Sequence, residues 1–169
     1  MQKDWSPFWV DSSQQLAPRP FIGPQWADGV GDRLRAAAFA EVQAEAAFRW
    51  AAEYFKDEAP AELCRAWLEL ADEENKHLSW LLKRLSELKI SLHERPVSDA
   101  LWYSLVRQKT ARDFCHYMAG AEERGRRAGE RFGETLKTID PVSAEIFSQI
   151  AREEVRHIAL AYEFYPVLH

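Results

Sequence analysis

The stretch Ala71-Asp-Glu-Glu-Asn-Lys-His-Leu78 occurs a second time in the chain, as Ala151-Arg-Glu-Glu-Val-Arg-His-Ile158. Each copy contains the pattern Glu-x-x-His. Residues three positions apart lie on one face of a helix, so each copy directs a carboxylate and an imidazole toward the same point. Two such helices, together with one Glu from each of two further helices, form the di-metal carboxylate site of a four-helix bundle. The four motif residues are Glu74, His77, Glu154 and His157.

The repeat extends beyond these two motifs and supplies the two further Glu. Equivalent residues of the motifs are 80 positions apart, and Glu41 and Glu122 are 81 positions apart. Each of these two Glu precedes its motif Glu by 33 or 32 residues and sits among small or apolar neighbours. In an antiparallel helical hairpin, such offsets put the two carboxylates at one height. The repeat therefore predicts a duplicated hairpin that presents two Glu and two Glu-x-x-His pairs to one central point.

The hydrophobic pattern predicts an all-α fold. Apolar and small residues recur at three- and four-residue steps over about 28–56, 60–89, 110–136 and 141–165, with Asp28 or Asp32 as the N-cap of the first helix. A short helix is expected after Ser98. The first and last links are short, whereas the middle link is long enough to cross a bundle from end to end. Residues 28–169 are therefore predicted to form a four-helix bundle of two antiparallel hairpins with a long crossover, which is the ferritin-like topology.

Residues 1–27 have a different composition, with four Pro and five Trp or Phe residues. Proline at this density excludes a continuous helix. The aromatic residues are too many for a free linker, so we expect an extended arm that lies on the bundle or on a neighbouring subunit of a homodimer. A disordered tail is the alternative.

Charge and hydropathy limit the classes of partner. The net charge of −5 argues against a nucleic-acid binder that relies on overall charge. No apolar run is long enough to span a membrane, and the N-terminus lacks the apolar region of a signal peptide. The two cysteines form neither a Cys-x-x-Cys motif nor a zinc spacing. A cytoplasmic location is the default expectation.

Four carboxylates and two imidazoles are ligands that suit a pair of iron or manganese ions. Four carboxylates also balance two divalent ions, which makes their burial feasible. A second Glu precedes the motif Glu in each copy. Because a ligating His usually donates its other N–H to a carboxylate or carbonyl, we expect Glu153 to orient His77 and Glu73 to orient His157.

Residues of about 30–165 resemble the ferritin-like di-iron carboxylate superfamily. Glu41-Val-Gln-Ala44 is similar to the first helix of rubrerythrins, and the two Glu-Glu-x-x-His motifs are shared more widely. Glu122-Glu-Arg-Gly125, preceded by Ser98-Asp-Ala-Leu-Trp102, looks more like a group of bacterial ferritin-like proteins of uncharacterised function. The resemblance implies that the metal ligands are Glu41, Glu74, His77, Glu122, Glu154 and His157.

Three functions are compatible with this site. The first is a non-haem di-iron, or iron/manganese, oxidoreductase that uses O2 to oxidise or hydroxylate a small organic substrate. The chain has no flavin or nicotinamide motif, so repeated turnover would need an external reductase. The second function is a ferroxidase or an iron- or peroxide-handling protein. The third is a non-catalytic helical bundle that binds a partner.

Overall fold

The computed structural model describes residues 3–14 and 16–167. These residues form an all-α fold, as predicted, with no strand among them beyond one isolated bridge between Val10 and Val97. No helix in this part of the chain is long and apolar enough to cross a membrane. A 3-10 turn at Gly23–Gln25 precedes five helices: α1 (Trp26–Tyr54), α2 (Ala61–Glu87), α3 (Ala100–Val106), α4 (Ala111–Leu136) and α5 (Pro141–Phe164).

Helices α4 and α5 begin at the predicted caps. The Thr110 side chain accepts a hydrogen bond from the Asp113 amide at 3.0 Å, and Asp140 caps α5 just before Pro141. The predicted N-cap of α1 is wrong, because α1 begins at Trp26 and both proposed caps lie inside it. The Asp32 carboxylate instead accepts hydrogen bonds from the backbone and side chain of Arg19.

The two long helix pairs are antiparallel. Near the loop that joins α1 to α2, Arg49 pairs with Asp72 at 2.8 Å. Near the other end, the Arg35 guanidinium donates to the Ser91 carbonyl, just beyond α2, at 2.9 Å. Helices α4 and α5 approach closely, since a Cβ on Gly129 would lie 3.1 Å from the Phe147 carbonyl oxygen. The absence of side chains at such positions lets the two backbones pack at short range.

The long connection between the two pairs packs on α1. It runs from residue 88 to 110 and contains α3. The Gln43 side chain on α1 accepts a hydrogen bond from the Trp102 amide at 2.9 Å and donates to the Ser98 carbonyl at 3.3 Å. Gln43 is 3% exposed, so this polar contact anchors the connection inside the core.

The described residues before α1 lie against the helices. Trp5 and Phe8 are buried, and the Trp5 ring lies 5.5 Å from that of Phe39 and 5.7 Å from that of Trp102. Further along, the chain crosses α1 at Gly29, where any Cβ would overlap the backbone carbonyl of Pro20. Burial of these aromatic rings holds the N-terminal segment on the helical body.

Candidate metal centre

The structure brings all six predicted ligand residues together. Helices α1 and α4 each place one Glu at the centre, and α2 and α5 each place a Glu and a His. They form two groups, each with four donor atoms that lie within 4.8 Å of one another. Two carboxylates belong to both groups, so the arrangement is that of two ion positions with shared ligands. The first group is Glu41, Glu74, His77 and Glu154, and the second is Glu74, Glu122, Glu154 and His157.

The two imidazoles face each other across the centre. Their ring centroids are 5.8 Å apart and their planes differ by 21°. His77 Nδ1 lies 3.4 Å from Glu154 Oε1, and His157 Nδ1 lies 2.8 Å from Glu74 Oε1. Both rings are buried, with exposures of 0% and 2%. The Nδ1 atoms therefore point at the shared carboxylates and are themselves shielded from solvent.

The outer nitrogen of each imidazole contacts the carboxylate that the sequence predicted. His77 Nε2 lies 2.9 Å from Glu153, and His157 Nε2 lies 2.9 Å from Glu73. Each of these two contacts joins α2 to α5. When Nε2–H donates to the carboxylate, the lone pair of Nδ1 faces the centre, which is the tautomer that a metal requires.

Two cations hold these outer carboxylates, and the sequence analysis did not identify them. Lys76 Nζ lies 2.6 Å from Glu153, and Arg156 pairs with Glu73. Each cation immediately precedes the His of its own motif and contacts the carboxylate of the other helix. The signal was present in the repeat, because a basic residue stands before the His in both copies.

Burial and mutual repulsion shift the pKa values of the carboxylates. Burial, and then the Glu74 charge, raise the pKa of Glu41 well above its usual range. Burial and the Glu154 charge do the same for the pKa of Glu122. Burial alone would also raise the pKa of Glu74, but contacts with Glu41 and the two imidazoles lower it.

The pKa values of both imidazoles are raised. Burial would lower the pKa of His77 and that of His157, but contacts with Glu154 and other carboxylates outweigh burial. Protons therefore offset part of the carboxylate charge when no cation is bound.

Unpaired polar atoms concentrate at this centre. Seven buried side-chain N or O atoms in the described part of the chain make no hydrogen bond of acceptable geometry, and five of them belong to the cluster. His157 Nδ1 and Glu74 Oε1 are two of the five, although they lie 2.8 Å apart. Buried polar atoms in folded proteins are normally paired. Carboxylate oxygens and imidazole nitrogens without thiolates are ligands that fit iron or manganese. The five atoms are Glu74 Oε1, His77 Nδ1, Glu122 Oε1, Glu154 Oε2 and His157 Nδ1.

A cavity of about 600 Å³ adjoins the centre. It lies between α1 and α4, and the carboxylates of Glu41, Glu74, Glu122 and Glu154 contribute to its wall. Residues of the N-terminal segment and of 95–98 also line it. The sequence analysis did not locate this cavity.

One comparison with known proteins gave a match. The model of a family described as "Protein of unknown function (DUF455)" matches residues 31–169, which include every residue of the centre. No curated protein and no solved structure matches the chain.

Proposed function

We propose that this chain, which belongs to the DUF455 family of proteins of unknown function, binds two iron ions and uses O2 to oxidise or hydroxylate a small organic substrate. The family description names no activity, so the proposal rests on the site. The observation that carries it is the pair of four-residue donor groups that share Glu74 and Glu154. A structural ion pair would not need two carboxylates that each face both imidazoles.

The proposal includes a ferritin-like four-helix bundle. Four helices of 24 to 29 residues form two antiparallel pairs, joined by a long connection. Helix α2 contacts α5 through the outer carboxylates, and the cavity separates much of α1 from α4. This arrangement supports the topology with one long crossover, in which metal ligands project inward from all four helices.

The ligand set suggests how each ion would be held. Glu41 and His77 would bind one ion, Glu122 and His157 would bind the other, and Glu74 and Glu154 would bridge them. When bound, two iron ions supply the redox chemistry for the reduction of O2. The chain itself orients the imidazoles through Glu73 and Glu153 and keeps both rings buried. Manganese has the same ligand preferences, so elemental analysis decides between the metals.

The cavity supports substrate oxidation over the iron-handling alternative. An iron-storage protein needs ion entry paths and a shell of many copies, whereas an oxidase needs room for an organic molecule beside the metals. The 600 Å³ cavity supplies such room. Size-exclusion mass separates the two, since a large closed shell would favour iron handling. An external reductase remains part of the oxidase proposal.

O2 consumption separates an iron-dependent function from a non-catalytic bundle. Protein loaded anaerobically with Fe(II) is mixed with O2 in an oxygen-electrode cell, alongside the Glu74→Gln variant and free Fe(II). We expect fast O2 uptake in proportion to the loaded wild-type protein and only the free-iron rate in the variant. Wild-type uptake no faster than free Fe(II) would contradict the proposal and favour a non-catalytic bundle.

A further inference from the structure

The cavity beside the centre arises from small residues on facing helices. On α1 the lining includes Ala40 and Ala44, and on α4 it includes Ala121, Gly125 and Ala128. These side chains cannot fill the space between two helices. Protein interiors are close-packed, with few voids larger than a water molecule. A half-open space of about 600 Å³ is instead the size of a small-molecule site.

The wall of the cavity is apolar over most of its length. Phe39, Met118, Phe147 and Ile150 are among its apolar lining residues. Such a surface favours a ligand with an apolar body, because burial of that body removes hydrocarbon from water. The charged residues of the wall, with the carboxylates of the centre and Arg33 among them, determine which end of a ligand lies at each place.

Within the described residues, one cation at the cavity has no acidic partner. Arg33 makes no ion pair within the described residues, whereas Arg35 and Arg95 pair with Asp32, and Arg126 pairs with Glu123. All four arginines line the cavity. Arg33 is thus the residue whose charge is available to a ligand.

The surroundings of Arg33 fix its position. Its guanidinium lies 4.4 Å from the ring centroid of Phe21 and 5.5 Å from that of Phe132. Its Nη1 donates to the backbone carbonyls of Arg19 and Gly29, each at 2.8 Å. Its Nε is buried and has no partner within the described residues, and its Nη1 is already paired, so Nη2 is the nitrogen left for a ligand. A guanidinium held in this way is preorganised to donate from Nη2 to a carboxylate.

We infer that the cavity binds an amphipathic carboxylate, with its anionic end at Arg33 and its apolar chain directed toward Glu41 and Glu122. Arg33 and Glu41 are eight positions apart on α1, which is about 12 Å along one helical face. A medium-length alkyl chain would span that distance. The identification of this ligand as a substrate rests on the proposed function, but its binding does not.

The test compares decanoate, decan-1-ol and decylammonium as probes, by isothermal titration calorimetry on protein as purified. A charge-assisted hydrogen bond should make decanoate bind about tenfold more tightly than decan-1-ol, with decylammonium the weakest. Arg33→Gln should abolish the preference for decanoate without changing decan-1-ol affinity. Arg33→Lys should restore part of it, since the positive charge returns.

Two further variants complete the test. Arg127→Gln removes a charge from an exposed α4 residue outside the cavity wall and should keep the full preference. Ala128→Phe should weaken binding of all three probes, because the ring would occupy the cavity. Metal content is measured on the same samples, so loss of metal is distinguished from loss of probe binding. Equal affinity for decanoate and decan-1-ol in the wild type, or an unchanged preference in Arg33→Gln, would overturn the inference.

Discussion

Replacement of a shared carboxylate should remove both metal ions, whereas replacement of an unshared one should remove a single ion. Glu74 belongs to both donor groups, and Glu41 belongs to one. Glutamine preserves the shape of either side chain but removes its charge. We therefore expect Glu41→Gln to bind one ion with near wild-type affinity and Glu74→Gln to bind neither ion tightly.

The magnitude follows from the charge that each ion loses. Two unit charges 4 Å apart attract by about 4 kcal/mol at an effective dielectric constant of about 20, and a divalent ion strengthens this. About 4 kcal/mol corresponds to roughly a thousandfold in affinity. In Glu41→Gln only the ion beside His77 should weaken by this factor. In Glu74→Gln both ions should weaken.

The comparison of the two variants distinguishes shared ligands from a simple effect of total charge. In the metal-bound state, both variants lack one negative charge of the same buried cluster. If the ions responded only to total charge, the two variants would lose metal equally. Only the sharing of Glu74 between two ion positions separates them.

The assay is equilibrium dialysis of metal-free protein against Fe(II) under anaerobic conditions, followed by elemental analysis. Mn(II) serves as an air-stable second probe. Glu123→Gln is the matched control, since Glu123 adjoins Glu122 in sequence but pairs with Arg126 and Arg127. The control should bind two ions. Circular dichroism checks that each variant is folded.

One result would refute the shared-ligand geometry. If Glu74→Gln retained one ion as tightly as Glu41→Gln, then Glu74 would serve a single ion position. If the wild-type protein bound only one metal ion, the two-ion arrangement itself would be refuted.

Three further predictions concern protons and packing. Uptake of two divalent ions should release protons, detectable with a pH-indicator dye, and metal affinity should therefore fall as pH falls, because the groups with raised pKa values must deprotonate to bind. Burial would raise the pKa of Asp32, but Arg19 and Arg95 lower it to about 2. Ionised Asp32 should therefore contribute about 2 kcal/mol to the free energy of unfolding above pH ~4, and this contribution should be lost as pH falls toward 2. Urea titrations should show that loss in the wild type but not in Asp32→Asn. Gly29→Ala should lower the free energy of unfolding by about 1–3 kcal/mol, because the new Cβ would overlap the Pro20 carbonyl. Gly125→Ala should raise the free energy of unfolding by up to about 1 kcal/mol, because nothing lies within 4 Å of its new Cβ.

The repeat made the centre predictable from the sequence. Helical periodicity places Glu74 and His77 on one face, and the second copy of the motif repeats that placement on α5. The paired outer carboxylates were predictable for the same reason, since Glu73 and Glu153 hold equivalent positions in the two copies. A duplicated motif predicts a contact between residues far apart in sequence, because both copies supply ligands to one site.

The start of α1 and the cavity were not predictable in this way. Asp32 looks like a cap in sequence, but two of its partners, Arg19 and Arg95, are 13 and 63 residues away. No local rule detects them. The cavity depends on side chains that are too small to touch across a helix pair. Small residues next to Glu41 and Glu122 indicated a buried position, but not that the space beyond them would stay unfilled.

The charges around the centre favour two ions over one. Lys76 and Arg156 neutralise the outer carboxylates, so Glu153 and Glu73 add no net charge for the ions to balance. Four inner carboxylates remain, and a single divalent ion would leave two of them uncompensated. Uncompensated charge is costly here, because the side chains of the four inner carboxylates are only 2% to 12% exposed. Without metal, the raised pKa values of Glu41, Glu122 and both imidazoles favour bound protons, which supply part of the missing positive charge. Exchange of these protons for metal ions therefore limits the change in net charge of the buried cluster.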